Sequence, residues 1–323
     1  MSRGSDLLRR IGSVPRLSEP LHARRARFHQ AWYRSEVLGI RAWGQTPNGR
    51  PLGSILPHDA AAAGRNFTSI PSEQTFLERR RRGWGVDPVR MTSYMTSSQA
   101  LLVNLLGPLL ERPTWLLSVL GRLLARDAFH SLDFWEVEFA PPMRSHYLGD
   151  MTRVDAFFMV RGTSGPEAIV LELKYTDRFS SRAIEISNNV LYRELARSTG
   201  LWSDPINAFA DKASGQLLRC HALGARVSQR DYGGARTSML LVSHPTDQKA
   251  ATVFRGYQRH LSVTEDCSHV TLTDLLEASS GAAQTSAESA IIGELRRRYL
   301  MHELSEDAWS EHLDSARKAN ARD

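Results

Sequence analysis

The chain has 323 residues, of which 41% are hydrophobic, with two cysteines and a formal net charge of +6. That is enough apolar material for a large core, but no stretch is uniform enough to span a bilayer: the best one, residues 101–124, is broken by Asn104, Pro108, Glu111, Arg112, Pro113 and Arg122. The start has no apolar leader with a small-residue cleavage site, and Cys220 and Cys267 have no metal-ligand spacing, so a cytoplasmic protein with reduced thiols is expected.

The charge is uneven. Residues 1–90 hold 16 arginines, no lysine and seven acids, a net of +9 that leaves −3 for the remainder. Such a segment predicts a polyanionic partner. Arginine makes up 37 of the 41 basic residues, and lysine occurs only at 174, 212, 249 and 318.

Residues 1–20 contain two prolines and are expected to be loose. A basic amphipathic helix is predicted over 21–40 (Leu21, Phe28, Trp32, Val37), a Gly/Pro/Ala/Asn-rich loop over 44–71, and a helix over 72–82 ending in Arg79, Arg80, Arg81 and Arg82. From about residue 92 the pattern is that of an α/β core. Helices are predicted over 96–110 and 114–126, then a strand over 134–139. A hairpin follows, with strands at 152–160 and 168–175 around the turn-forming Gly162, Gly165 and Pro166. Helices over 181–198 and 205–223, a strand over 237–243, a helix over 246–260, a short strand at 270–272 and a helix over 273–279 complete it. A Ser/Ala linker over 279–287, a helix over 288–303 and a charged tail end the chain. The division is a basic N-terminal extension (1–90), a mixed α/β core (91–280) and a C-terminal helix with tail (281–323).

The hairpin carries the chemistry. Glu172 and Lys174 lie two apart in the aliphatic run 168–175, so on a strand they share a face. A charged pair in such a strand is costly unless it is paired or binds a metal. The facing strand carries one carboxylate, Asp155. The three groups share a side only if Asp155 falls opposite Glu172 or Lys174; opposite Leu173 it points away. Two carboxylates able to share a hard divalent cation, beside an ammonium, suit phosphodiester hydrolysis. Lysine suits that place, being a compact charge whose pKa responds to burial. A simple Glu172–Lys174 salt bridge is the structural alternative.

Asp155, the sixteen residues after it, and Glu172-Leu173-Lys174, on apolar strands preceded by a helix and a strand, resemble the PD-(D/E)xK nuclease superfamily. Residues 97–109 and the run Glu172-Leu173-Lys174-Tyr175-Thr176 are more narrowly similar to a bacterial restriction-endonuclease-like group, over about residues 53–280. The resemblance implies a restriction-endonuclease-like fold, a mixed central sheet flanked by helices, and Mg²⁺-dependent DNA cleavage in which Mn²⁺ substitutes. It implies Asp155, Glu172, Lys174 and Gln216 as the catalytic set. Asp155, Glu172 and the Leu173 carbonyl would hold the metal. Many relatives add an acid from the first core helix; helix 96–110 has none inside it, and Glu138 on the next strand, preferred over Glu136, is the expected substitute.

Gln216 and Arg219, one turn apart, are candidates for orienting water and binding phosphate, or a solvated polar face. His244 is read as a capping or core residue. Ser98 and Gln99, at a helix start, suit a phosphate or an ordinary cap. The leading function is a restriction- or defence-type endonuclease acting on double-stranded DNA, with no membrane association and a homodimer or defence-system partner possible. The alternative is a non-cleaving or partner-activated component on the same scaffold, with Trp32, Trp43 and Trp84 as a protein interface.

Overall fold

The aliphatic run bearing Glu172 and Lys174 becomes the middle strand of a five-stranded sheet. The computed structural model describes residues 3–12, 19–83, 85–180 and 188–320. The strands lie side by side in chain order: β1 (Phe129–Phe139), β2 (Val154–Gly162), β3 (Gly165–Lys174), β4 (Arg236–Ser243) and β5 (Cys267–Thr271). β1, β2 and β3 are antiparallel neighbours, and β4 and β5 join in parallel. β3 has a neighbour on each edge and a core on each face. Its sequence therefore reads as a continuous apolar run instead of alternating.

Among the described residues seven α-helices precede the sheet: α1 (Arg3–Ile11), α2 (Leu21–Trp32), α3 (His58–Ala62), α4 (Ile70–Arg81), α5 (Pro88–Ser93), α6 (Ser98–Leu110) and α7 (Pro113–Leu124), with a π-helical turn, Tyr33–Val37, continuing α2. The connection from β3 to β4 contains α8 (Val190–Thr199), α9 (Pro205–Ala210) and α10 (Gly215–Asp231); α11 (Gln248–Gln258) joins β4 to β5. The chain then forms α12 (Leu272–Ala282), α13 (Ser286–Tyr299) and α14 (Glu306–Asn320). One sheet face (Ala156, Phe158, Ile169, Leu171, Val242) shares a core with α6, α7, α12 and α13. The other (Phe157, Met159, Val170, Met239, Leu241) shares one with α8, α10 and α11. The sheet with helices on both faces is the α/β architecture expected.

Several expectations are corrected. Residues 3–11 are helical, and Ile11 is buried with Phe28 and Trp309. The helix predicted over 205–223 is two, because Asp211 accepts from the Ala213 N–H and the Ser214 hydroxyl and competes with the helical ladder. The expected loop 44–71 contains α3, and the charged tail forms α14. The linker shrinks to a few residues, because Thr285 and Glu288 form a capping box that starts α13 early. Trp32 and Trp43 are each half-buried, Trp32 against the Phe28 and Trp309 cluster and Trp43 beneath the Arg34 guanidinium; Trp84 and residues 181–187 of the predicted helix 181–198 lie outside the described residues.

Two arginines of the basic segment are internal. Arg34 is buried and donates to the carbonyls of Gly53, Ala42, Arg10 and Ile11 at 2.7–3.0 Å. Arg79 is buried against β1 and donates to the Val137 and Glu138 carbonyls at 2.8 Å.

Candidate active site

Register decides whether the hairpin can make a site. Ala156 pairs with Leu171 and Phe157 with Val170. One step further the same register sets Asp155 across from Glu172, and the period of two puts both on the α10 face with Lys174. Lys174 Nζ lies 2.8 Å from Glu172 Oε1, and both side chains are buried. Asp155 Oδ2 accepts from the Leu173 N–H at 2.7 Å. The N–H and C=O of one strand residue leave on the same side, so the Leu173 carbonyl also faces Asp155.

α10 closes the site, and its placement follows from one glycine. A Cβ on Gly224 would sit 2.2 Å from Val170 Cγ2, so the helix backbone lies directly on β3. Four helical residues advance about 6 Å and two strand residues about 6.6 Å. Moving from Gly224 to Cys220 therefore matches moving from Val170 to Glu172. Cys220 Sγ is 3.5 Å from Glu172 Oε2 and 3.7 Å from the Arg153 carbonyl. A turn earlier, Gln216 Nε2 donates to Glu172 Oε1 at 2.6 Å, while its Oε1 accepts from the Ser180 N–H at 2.7 Å and so fixes which way the amide faces. Arg219 is buried at the same cavity, of about 230 Å³, which Glu138, Arg153 and Asp155 also line.

Glu138, and not Glu136, joins this cavity. Glu136 turns to Arg79 and Arg82, at 3.4 and 3.3 Å. Glu138 adopts a φ of +49°, a left-handed conformation costly for a residue with a Cβ. The two Arg79 bonds fix the flanking peptides in that state. Among the described residues Glu138 Oε1 is buried without a hydrogen-bond partner.

The electrostatics is that of crowded acids. Burial, with the Glu172 charge adding to it, pushes the Glu138 carboxyl up to about 7. Burial and then the Glu172 and Glu138 carboxylates raise that of Asp155 well above the usual range. Burial opposes the Lys174 charge, but Glu172 and Asp155 outweigh it and raise the ammonium above its ordinary value. Lysine is thus held charged and the acids compete for it.

A divalent cation fits this donor set. The site offers carboxylate oxygens and a backbone carbonyl, the ligands hard cations take, and an orphaned buried oxygen on Glu138. Among the described residues no three His, Cys, Asp or Glu side chains are arranged as a complete ligand set. A cation here would draw on the Asp155 and Glu172 carboxylates, the Leu173 carbonyl and the orphaned Glu138 oxygen, with water completing its shell.

The structure therefore brings Asp155, Glu172, Lys174, Gln216, Glu138 and the Leu173 carbonyl to one end of the sheet. Ser98 is not an open phosphate site: its N–H donates to Asp177 Oδ2 at 3.3 Å. His244 is buried, with Nδ1 accepting from the Thr246 N–H at 3.3 Å. Cys220 escaped sequence reasoning, although its i+4 spacing from Gln216 puts it on the same helix face. Arg153, two residues before Asp155, was open to the same strand arithmetic.

An acid–acid–lysine cluster on an antiparallel hairpin, extended by parallel strands and covered by helices, defines a restriction-endonuclease-like protein. A family model of the PD-(D/E)XK nuclease superfamily matches residues 18–301, and the chain belongs to that superfamily. No curated protein and no solved structure matches the chain significantly.

Proposed function

We propose that the chain is a metal-dependent endonuclease of double-stranded DNA, of the restriction or defence type, acting in the cytoplasm. Asp155, Glu172, the Leu173 carbonyl and Glu138 would hold Mg²⁺, with Mn²⁺ as a substitute. When bound, the ion would lower the pKa of a coordinated water and neutralise charge on the scissile phosphate. Lys174, kept protonated by its carboxylate neighbours, stabilises the negative charge that develops on the phosphoryl oxygens. Gln216 orients Glu172, and the Ser180 N–H orients Gln216. Arg153 and Arg219 at the cavity favour a phosphate backbone. In the basic 1–90 segment the exposed Arg80, Arg81, Arg82 and Arg90 supply DNA contacts, the 91–280 core the chemistry, and 281–323 a C-terminal support. Two copies would serve to cut both strands.

The observation that carries this reading is the shared face of Asp155, Glu172 and Lys174, with the ammonium 2.8 Å from a carboxylate. Supercoiled plasmid incubated with Mg²⁺ tests it. Wild type should nick or linearise it, and EDTA or Lys174→Ala should abolish cleavage. Equal cleavage by wild type and Lys174→Ala refutes the site. The alternative, a component that binds DNA and cuts only with a partner, is favoured by one observation: Lys174, Gln216 and Cys220 occupy both Glu172 oxygens. DNA binding without cleavage in Mg²⁺ and Mn²⁺ would select it.

A further inference from the structure

A second cavity, of about 610 Å³, lies behind the segment that follows Lys174. Thr176 to Phe179 wall it, whereas Ser180 lines the carboxylate cavity. Phe179 is shared ground, since its ring lies 5.2 Å from Lys174 Nζ. The opposite wall is a tier of three imidazoles: His22 stacks on His244 at 5.8 Å and 22°, and His244 on His302 at 5.4 Å and 16°.

The tier has an unmet donor. His244 is 4% exposed, and its Nδ1 accepts from the Thr246 N–H, so the neutral ring carries its proton on Nε2. Among the described residues that Nε2 is buried with no partner, as is Nε2 of His302. An orphaned buried donor destabilises a protein unless an acceptor reaches it. A metal ion does not suit the tier, because stacked rings do not converge their nitrogens on one point.

The remaining lining selects an anion with a body attached. α2 starts at this cavity behind Pro20 with no side-chain cap, and the first N–H groups of a helix have no partner within it. Arg178 and Lys249 add positive charge. The acids are already engaged, Asp177 by Arg90 and the Ser98 N–H, Asp247 by the Ala250 N–H of α11. A lone phosphate leaves most of such a volume empty, whereas a nucleotide falls in the range of small-ligand pockets.

We propose that this cavity binds a nucleoside phosphate, its phosphate at the start of α2 near Lys249 and Arg178 and an acceptor of its base on His244. The ligand is either a free nucleotide or a nucleotide of the substrate strand; only the second source rests on the nuclease reading.

Calorimetric titration of the full chain in EDTA, where no cleavage occurs, tests the site apart from catalysis. The probes are dAMP, inorganic phosphate, and an octanucleotide with and without a 5′-phosphate. dAMP or the phosphorylated octanucleotide should bind at least tenfold more tightly than phosphate. Lys249→Glu, on an exposed residue that endangers no fold, should weaken that binding at least tenfold, as should His244→Phe, which keeps the stack and removes the donor. Asp155→Asn should leave it unchanged. Binding by dAMP identifies a free nucleotide, and binding by the phosphorylated octanucleotide alone identifies the substrate strand. Absence of binding by every probe, phosphate as tight as dAMP, indifference to Lys249→Glu, or loss in Asp155→Asn overturns the proposal.

Discussion

His221 ties the helix that closes the candidate active site to the sheet, and acid should loosen it. The ring lies on α10, fully buried, with Nδ1 2.9 Å from the Tyr257 hydroxyl and Nε2 3.1 Å from the Thr237 carbonyl. A neutral ring protonated on Nε2 satisfies both partners, whereas a second proton would place a full positive charge in a fully buried site. Burial accordingly lowers its pKa from 6.5 to about 4. The folded state resists a proton that the unfolded chain accepts. Stability from this group is full above pH 6.5 and is lost as pH falls through 4. At about 1.36 kcal/mol per unit the whole effect is about 3 kcal/mol, of which about 2 kcal/mol falls between pH 7 and 5. His29 and His244, lowered to about 4 by burial, act in the same direction. The raised carboxyls of Glu138 and Asp155 act oppositely, stabilising the metal-free protein as pH falls. A variant isolates the term. Urea unfolding of wild type and His221→Gln in EDTA, at pH 7 and pH 5, should show the variant less stable at pH 7 by about 1–3 kcal/mol. The gap should shrink by about 2 kcal/mol at pH 5. A gap independent of pH would refute the neutral buried imidazole and its part in anchoring α10.

Gly224→Ala should lower stability by about 1–3 kcal/mol, because its methyl meets Val170 and must lift α10; it should also reduce cleavage, and a thermal melt beside a plasmid assay checks both. Gln216→Ala should weaken Mn²⁺ binding about 10–100-fold, as loss of an outer-shell partner does, while the melting temperature stays near wild type; calorimetric titration reads the first and a thermal melt the second. Arg80→Glu with Arg81→Glu, both exposed, should weaken DNA binding and make the slope of log K against log salt about two units shallower in a Lys174→Ala background. An unchanged slope would remove this stretch from the DNA surface.

The core was legible where burial and period agree. The hairpin, the long apolar α6 and the strand at 236–243 each carry a pattern that only one element satisfies. The break between α9 and α10 was not legible, because Pro205 and Asp204 announce a helix start and nothing before Gly215 announces its end. Asp211 ends it through side-chain bonds to Ala213 and Ser214, a local competition that periodicity cannot register. At the site, the common face of Glu172 and Lys174 follows from strand geometry alone. Its extension to Asp155 needed the hairpin register, which a two-residue turn between Gly162 and Gly165 sets. Glu138 is harder: alternation along β1 pairs it with Glu136, and only a left-handed backbone separates the two.

That separation gives the basic segment a second meaning. Net charge counts Arg79 as one more cation for a polyanion, yet its guanidinium is spent on two carbonyls of β1. A guanidinium suits the task because its planar fork reaches adjacent carbonyls at once, which an ammonium cannot do. The same fork explains why Gly85 lies beside it with φ +129°: a Cβ there would come within 2.4 Å of Arg79 Nη2. An unfavourable conformation persists only where surrounding structure over-determines it, and here α4 supplies that structure. Residues far ahead of the hairpin thus help place the third carboxylate. Arg79→Lys keeps the charge and loses the fork. It should leave long-range attraction for DNA unchanged while raising the Mg²⁺ concentration needed for half-maximal cleavage. A variant that instead lost DNA affinity at unchanged Mg²⁺ requirement would return Arg79 to the polyanion surface and leave the Glu138 conformation without a cause.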